Sequence, residues 1–309
     1  MAATDEMVAT AAPGRDPAVA ALLPEARETI RQVARTFALA ARLLPRDVRE
    51  DTELLYLVLR TLDDLVDLEG AHETDLDADH DTDERLAAVE AWAARRAPAR
   101  QTRETRILDD LARRHPALPR DAVADFTAGM RQDLAGPRIR TEADLDAYCY
   151  RVAGTVGRLM AAVLGAHGPD ADRAARSLGI AMQRTNILRD VDEDLARGRV
   201  YIPAATLAAH RIPVDGLATA DRRALLRDGI ARADAAYDEG TAGIVFLTHG
   251  RRSIRAAASM YREILRQIER DGLGARRPWR SVVPRRRKAA LVARALLRPG
   301  GRIVSRNGR

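Results

Sequence analysis

The sequence has little that would support a disulfide-bonded, membrane-spanning or β-sheet protein. It holds 309 residues with a single cysteine, Cys149, which excludes an intramolecular disulfide and a cysteine-rich zinc site. Aromatic residues make up only 4% of the chain and alternating Val, Ile and Thr runs are missing, which argues against β-sheets. No uncharged apolar run reaches about 18 residues, and the N-terminus lacks the apolar segment of a signal peptide. We therefore expect a cytoplasmic protein without a transmembrane helix.

Charge is unevenly distributed along the chain. Residues 276–309 hold eleven arginines and the only lysine, Lys288, with no acidic residue, although the whole chain carries a net charge of only +6. The body is therefore mildly acidic and the C-terminal tail strongly basic. Such a tail indicates an anionic partner: a phosphate-bearing ligand, a lipid surface or a nucleic acid.

Ala, Leu, Arg and Glu dominate, and these residues favour helices. We predict one all-α domain over residues 21–275, preceded by a disordered leader over 1–20 and followed by a basic C-terminal helix and tail over 276–309. The acidic, turn-rich stretch 70–83 is predicted to be a mobile loop. The predicted helices span residues 25–43, 46–69, 83–96, 102–114, 120–134, 142–166, 170–196, 219–247, 250–272 and 285–298.

The predicted helix over 46–69 carries a polar stripe opposite its apolar one. Tyr56, Arg60, Asp63 and Asp67 recur at helical spacing, with Asp64 beside them. Two carboxylates one turn apart repel each other unless a cation lies between them. Oxygen ligands at this spacing suit Mg²⁺, which completes its octahedron with phosphate and water.

The predicted helix over 170–196 repeats this pattern. Its polar face holds Gln183, Asn186, Asp190 and Asp194, with Glu193 adjacent. An acidic stripe is commonly just a solvated helix face, and either motif alone is open to that interpretation. Two such faces opposite each other would instead form a cage for a diphosphate and its metal ions.

Two glycines lie between these motifs in the segment YCYRVAGTVG, residues 148–157. Gly154 and Gly157 each cost a helix about 1 kcal/mol relative to alanine, so their presence requires a reason. One interpretation is close helix–helix packing. The other is space for a slim hydrocarbon chain in a tunnel. Cys149 fits a buried small apolar residue better than a nucleophile.

Together these segments resemble the squalene/phytoene synthase family, the head-to-head trans-prenyl synthases. The resemblance rests on YLVLRTLDDLVD, YCYRVAGTVG and QRTNILRDVDEDLARGRVYIP, in the family's order and spacing, and on the tail VVPRRRKAALVARAL. It implies a single isoprenoid-synthase-type helical domain with a central cavity.

The resemblance also implies roles for individual residues. The catalytic residues would be Tyr148, Asp63, Asp67, Asp190 and Asp194, and the metal ligands would be these four aspartates and Asn186. The substrate-binding residues would be Arg35, Thr36, Tyr56, Arg60, Asp64, Val152, Gly154, Gly157, Gln183, Asn186, Arg189, Glu193, Arg199, Tyr261 and Arg286.

The activity implied is Mg²⁺-dependent, with Mn²⁺ as the alternative metal, and couples two farnesyl or geranylgeranyl diphosphates. NADPH would be needed only if the product is squalene. The chain has Ala34 where the family usually has a serine, which keeps open transfer of one prenyl group to an aromatic acceptor, such as a carbazole, in secondary metabolism. A non-catalytic assembly protein and a nucleic-acid binder are remoter alternatives, since the tail lacks a nucleic-acid motif.

The basic C-terminal helix has three interpretations of its own. It could close over the diphosphates, lie on an anionic membrane from which substrate and product exchange, or be a solvated terminus. We favour peripheral contact with the inner face of the membrane.

Overall fold

The structure, a computed structural model, describes residues 14–33, 41–69, 76–275 and 280–297. For residues 67–69, 76–80 and 295–297 it describes the backbone alone. Its α-helices are α1 Pro17–Ala20, α2 Leu23–Val33, α3 Arg46–Glu69, α4 Leu76–Ala93, α5 Arg103–Arg114, α6 Arg120–Leu134, α7 Glu142–Cys149, α8 Thr155–Val163, α9 Pro169–Arg189, α10 Val191–Ala196, α11 Ala204–Ala209, α12 Arg223–Ala242, α13 Arg251–Arg270 and α14 Arg285–Leu297. The described residues contain no strand, as predicted.

Two boundaries predicted from the sequence are wrong. Residues 14–20 are not part of a disordered leader: Asp16 caps α1, and Val19 is completely buried in the core. Arg15 forms an ion pair with the buried Asp51, which anchors this segment further. The acidic stretch predicted as a loop to residue 83 is also shorter, because α4 begins at Leu76.

Two helices predicted as continuous are interrupted. Between α7 and α8 the chain forms a π-helical turn over Tyr150–Gly154. Helix α9 ends at Arg189, and the next residue, Asp190, has a φ of −103° and a ψ of 14°, outside the helical region. The backbone N–H of Asp194 still donates to the carbonyl oxygen of Asp190 at 2.8 Å, so α10 restarts immediately. A short helix, α11, was not predicted.

The core consists of two large apolar clusters with a third, smaller one at one end. The first cluster draws mainly on α3 to α6 and α8, and the second on α9, α12, α13 and the chain between α10 and α12. Helix α9 packs against α8, α12, α13 and the π-helical turn, so it runs through the middle of the domain. None of the helices in the described residues is long and apolar enough to cross a membrane.

Close packing of α9 depends on glycine. A Cβ atom on Gly157 would lie 2.2 Å from the carbonyl oxygen of Ala175, and one on Gly179 would lie 2.2 Å from that of Ala153. Any larger residue would push these helices apart. The packing interpretation of the glycine segment is therefore correct for its backbone, and it brings both helices alongside the same internal cavity.

Candidate active site

A cavity of about 360 Å³ lies between the helices and gathers many of the predicted site residues. Those lining it are Tyr56, Arg60, Asp63, Tyr148, Val152, Gly157, Gln183, Asn186 and Tyr261. Asp63 of the first motif and the amides Gln183 and Asn186 of the second therefore face the same space, although about 120 residues separate them in the chain. Convergence of this kind is what distinguishes a site from two unrelated solvated faces.

The first acidic face is organised by Arg60. Its Nη1 lies 2.8 Å from Oδ2 of Asp63, and its Nη2 also pairs with Asp64. Asp63 borders the cavity, whereas the side chain of Asp64 is 45% exposed. Burial raises the pKa of the neighbouring Tyr56 to about 12, although the positive charge of Arg60 opposes this shift. Tyr56 is therefore a neutral phenol at the cavity wall.

The second acidic motif begins at the cavity and continues beyond it. Asn186 borders the cavity and Asp190 follows one turn later, at the end of α9. Arg189 Nε donates to Asp190 Oδ1 at 2.7 Å, and Arg280 Nε lies 2.9 Å from the same oxygen. Arg280 also lies 3.4 Å from Glu193, so one arginine spans two acids of the motif.

Asp194 has the most perturbed carboxyl group of the motif. Burial, together with the nearby charge of Asp190, raises its pKa to about 6. It borders a small crevice with Arg199 and Tyr201 rather than the main cavity. An acid whose ionised form is disfavoured by a neighbouring acid is a place where a cation would be stabilising.

One carboxylate of the motif has a different partner. Asp192 lies 2.6 Å from Arg222 Nη2, and both side chains are largely buried. This pair ties α10 to the start of α12. Asp192 therefore has a structural role within the second acidic motif.

Tyr148 lies at the cavity wall within a buried polar group. Its hydroxyl donates to Asp133 Oδ2 at 3.4 Å, and its ring stacks on Tyr201 with centroids 5.2 Å apart. Burial and the charge of Asp133 raise the pKa of Tyr148 far above its ordinary value. The phenol therefore stays protonated. Its O–H donates a hydrogen bond to the carboxylate of Asp133, which also lines the cavity.

Several predicted residues do not lie at the cavity. Gly154 packs against α9, where a Cβ atom would meet the ring of Tyr150 at 2.9 Å and the carbonyl of Arg176 at 3.3 Å. Arg286 is exposed on α14, so the arginine that the chain brings to the acids is Arg280 instead. Arg35 and Thr36 lie outside the described residues, as does the side chain of Asp67.

The sequence analysis missed Asp133, Tyr201 and Arg280. Tyr201 falls in the segment RVYIP that follows the second motif, which was a usable signal. Asp133 ends an ordinary amphipathic helix and Arg280 is one of many tail arginines, so neither stands out in the sequence. Cys149 is completely buried, as predicted, and burial raises the pKa of its thiol to about 12.

Comparison with known proteins supports the interpretation of this cavity as an active site. A family model described as squalene/phytoene synthase matches residues 30–287. The chain is 38% identical to a phytoene synthase of Thermus thermophilus, over 88% of this chain and 93% of that protein. It is 36% identical to a 15-cis-phytoene synthase of Synechococcus elongatus, over 93% of this chain and 97% of the relative.

Solved structures agree on the fold. A dehydrosqualene synthase superposes with a TM-score of 0.75 at 24% identity, covering 90% of this chain and 96% of the other. A squalene synthase from Alicyclobacillus acidocaldarius gives a TM-score of 0.71 at 25% identity, covering 83% and 96%. The helical domain thus has counterparts in sequence and in fold. The chain is a prenyltransferase and belongs to the squalene/phytoene synthase family.

Proposed function

We propose that this prenyltransferase couples two prenyl diphosphates head to head in a Mg²⁺-dependent reaction, giving phytoene or a related hydrocarbon. The observation that carries the proposal is a single cavity with a carboxylate, arginine and amide group at one end and an apolar interior. Its relatives named phytoene synthase support this reaction over other prenyl transfers. An allylic diphosphate would ionise at the polar end, and a double bond of the second substrate would attack the resulting cation.

The donor set at the polar end fits a divalent metal ion. No three acidic, histidine or cysteine residues converge on one point among the described side chains, which do not include Asp67. Mg²⁺ in diphosphate sites commonly takes only one or two protein carboxylates and fills the rest with phosphate and water. Asp63, Asn186, Asp190 and Asp194 would supply those oxygens. When bound there, Mg²⁺ neutralises charge that develops on the leaving diphosphate.

The arginines around the acids would hold the diphosphate itself. Arg60, Arg189 and Arg280 each pair with an aspartate of the two motifs in the structure. A guanidinium can exchange a carboxylate for a phosphate because both offer two oxygens in the same plane. Release of the carboxylates would free them for the metal ion as the diphosphate binds.

The cavity walls suit a carbocation. The rings of Tyr56, Tyr148 and Tyr261 line it, and ring faces attract cations. The remaining lining residues are mainly small or aliphatic, so water has few partners there and a cation is protected from hydrolysis.

The pair of Tyr148 and Asp133 would carry the proton lost when the cyclopropane closes. The Tyr148 oxygen would accept the proton from carbon as its own proton passes to Asp133 Oδ2. This relay avoids a free phenolate, which burial disfavours. Subsequent loss of a second proton gives phytoene without a reductant, and NADPH is required only if squalene is the product.

Peripheral membrane contact through the basic tail remains a separate proposal. In the structure Leu291 and Val292 pack against Ala256 and Met260 of α13, so these apolar side chains are already used inside the protein. The exposed arginines of α14 would then make the contact electrostatically. The proposal predicts that the protein sediments with anionic vesicles and that this sedimentation disappears at moderate salt. An Arg285→Ala/Arg286→Ala variant that sediments as well as wild type would contradict it.

The coupling reaction is tested by incubating the protein with Mg²⁺ and one prenyl diphosphate at a time, followed by mass spectrometry of the organic extract. A hydrocarbon with twice the carbon number of the substrate supports the proposal. Prenyl transfer that occurs only when an aromatic co-substrate is added would contradict it and favour the aromatic-acceptor alternative.

A further inference from the structure

The helix that carries Tyr148 contains one turn of a different width. In the π-helical turn over Tyr150–Gly154, the backbone N–H of Thr155 donates to the carbonyl oxygen of Tyr150, five residues earlier. In an α-helix this bond would join residues four apart, so the turn accommodates one extra residue. Such turns are rare within helices and are frequent at functional sites, so this one requires a reason.

The extra residue determines which side of the helix Tyr148 faces relative to α8. At about 100° per residue, a continuous α-helix would turn Gly157 about 180° and Leu164 about 160° away from Tyr148. One inserted residue removes about 100° from each angle, which leaves about 80° and about 60°. All three residues line the same cavity, as this corrected geometry requires. The π-helical turn thus aligns Tyr148 with the cavity-lining face of α8.

Tyr150 lies where three helices contact the turn, and it does not itself line the cavity. Its hydroxyl donates to Asp125 Oδ2 of α6 at 2.5 Å and accepts a hydrogen bond from Arg158 Nη1 of α8 at 2.9 Å. The guanidinium carbon of Arg176, on α9, lies 4.4 Å from the centre of the Tyr150 ring. An arginine over a ring face at this distance is attractive. The turn is therefore held from several sides through one side chain.

Arg158 is itself fixed by two carboxylates. Its Nε lies 2.6 Å from Asp172 at the start of α9, and its Nη2 lies 2.8 Å from Asp121 at the start of α6. Only 12% of the Arg158 side chain is exposed, so its direction is set by these pairs. The hydrogen bond that Tyr150 receives therefore comes from a donor with a fixed position.

Helix α6 supports both tyrosines of this segment. Asp125 accepts from the hydroxyl of Tyr150, and Asp133 accepts from the hydroxyl of Tyr148. The two tyrosines are separated by one residue, Cys149, so a displacement of the turn would also displace the ring that contacts Asp133. The contact of Tyr148 with Asp133 thus depends on the position of Tyr150.

We propose that Tyr150 is a positioning residue, which holds the π-helical turn and thereby orients the Tyr148 hydroxyl toward Asp133 at the cavity wall. This inference rests on the proposed function, in which Tyr148 and Asp133 carry the proton lost during coupling. Tyr150 acts through Tyr148 and does not contact the substrate.

The first test is the steady-state kinetics of Tyr150→Phe, which keeps the ring beneath Arg176 and removes the hydroxyl. We expect kcat to fall about tenfold with a nearly unchanged KM for prenyl diphosphate, because the acids and arginines at the mouth are untouched. Tyr237→Phe is the matched control. Tyr237 also has a hydroxyl partner, Thr185, and an arginine near its ring, yet it lies away from the cavity lining. This variant should keep the wild-type kcat.

A double variant separates positioning from general loss of stability. In a Tyr148→Phe background, Tyr150→Phe should cause no further loss of turnover, because the group that it positions is already absent. Two losses that multiply, or a Tyr150→Phe variant whose KM rises while kcat stays constant, would overturn the proposal.

A spectroscopic measurement tests the same proposal without the reaction. In protein labelled with ¹³C at tyrosine Cζ, the Tyr148 resonance is assigned by its loss in Tyr148→Phe. In Tyr150→Phe it should move toward the position that it has in Asp133→Asn, where the same hydroxyl has lost its carboxylate partner. Tyr237→Phe should leave it in place. An unmoved Tyr148 resonance in Tyr150→Phe would overturn the positioning role.

Failure of the proposed function is distinguishable from failure of this inference. If the wild-type protein couples no prenyl diphosphate, the coupling reaction is contradicted, and the Tyr148 resonance still decides whether Tyr150 positions the phenol. If wild type does couple its substrate and Tyr150→Phe matches it in kcat, the positioning role alone is contradicted.

Discussion

Arg280 Nε lies 2.9 Å from Asp190 Oδ1, which joins the chain just before the C-terminal helix to the second acidic motif. The same guanidinium reaches Glu193, and a further tail residue, Arg287, lies 2.5 Å from Glu263 on α13. The basic tail is thus held to the helical domain by specific ion pairs, and those of Arg280 reach the second acidic motif.

Arg280 should matter for substrate binding more than a tail arginine that does not contact the acidic motifs. We expect Arg280→Ala to raise the KM for prenyl diphosphate about tenfold or more, because a charge-assisted contact to phosphate is lost. Arg286→Ala is the control: both arginines are exposed and each substitution removes one positive charge, but only Arg280 pairs with Asp190 and Glu193. Equal effects of the two substitutions would show that only the tail's net charge matters.

The acids of the second motif should separate into two classes. Asp190→Asn is expected to lower kcat/KM by roughly 10²–10³, comparable to loss of one group that stabilises developing charge. Asp192→Asn should lower the melting temperature instead, since it breaks the largely buried pair with Arg222 and leaves that guanidinium without its carboxylate. Steady-state kinetics and thermal unfolding of both variants check this. Loss of activity in a fully folded Asp192→Asn variant would argue against the division.

Asp194 should make the metal-free protein less stable as pH rises. Its pKa is about 6 in the folded protein, against 3.8 for an unperturbed group, so the folded state binds its proton more tightly. The stability cost is absent below about pH 4 and complete above about pH 7. Because the group is partly exposed, the cost is discounted to about 1 kcal/mol, or roughly 2–4 °C.

Thermal unfolding in EDTA tests this expectation. Asp194→Asn should melt higher than wild type at about pH 7.5, and the difference should vanish at about pH 4. Glu193→Gln, one residue away, is the control: it removes ion pairs with Arg197 and Arg280, so it should give no such pH-dependent gain. A wild-type melting temperature equal to that of Asp194→Asn at neutral pH would contradict the raised pKa.

Tyr148 and Asp133 should act as a pair. Tyr148→Phe and Asp133→Asn are each expected to lower turnover by roughly 10²–10³, with the KM for prenyl diphosphate nearly unchanged, because the relay acts after substrate binding. The double variant should be little worse than either single one. Tyr237→Phe, which removes another buried hydroxyl that contacts Thr185, should keep normal turnover. Additive effects of the first two substitutions would contradict a shared relay.

The sequence was sufficient for the regular parts of the fold. Helix α6 has the predicted bounds Arg120–Leu134, because a continuous amphipathic pattern and flanking proline define both ends. The break at Asp190 was not predictable in this way, since QRTNILRDVDED reads as uninterrupted helix. At the break Asp190 pairs with Arg280, which is 90 residues away in the chain, and local propensity does not encode such a contact.

The site was predictable where a motif is local. Asp63 and Asn186 were found by helical spacing alone. The Asp133 contact with Tyr148 joins α6 to α7, and a hydrogen bond joins Thr248 to Gly165, so both depend on residues that meet only after folding. The shape of the cavity therefore could not be derived from the sequence.

Head-to-head coupling is tested most directly by incubation with geranylgeranyl diphosphate and Mg²⁺, without NADPH, and mass spectrometry of the extract. The account predicts a C40 hydrocarbon, preceded by a C40 cyclopropyl diphosphate, and its loss in Asp190→Asn. Released diphosphate with only C20 alcohols, or no reaction with any prenyl diphosphate until an aromatic acceptor is supplied, would contradict it.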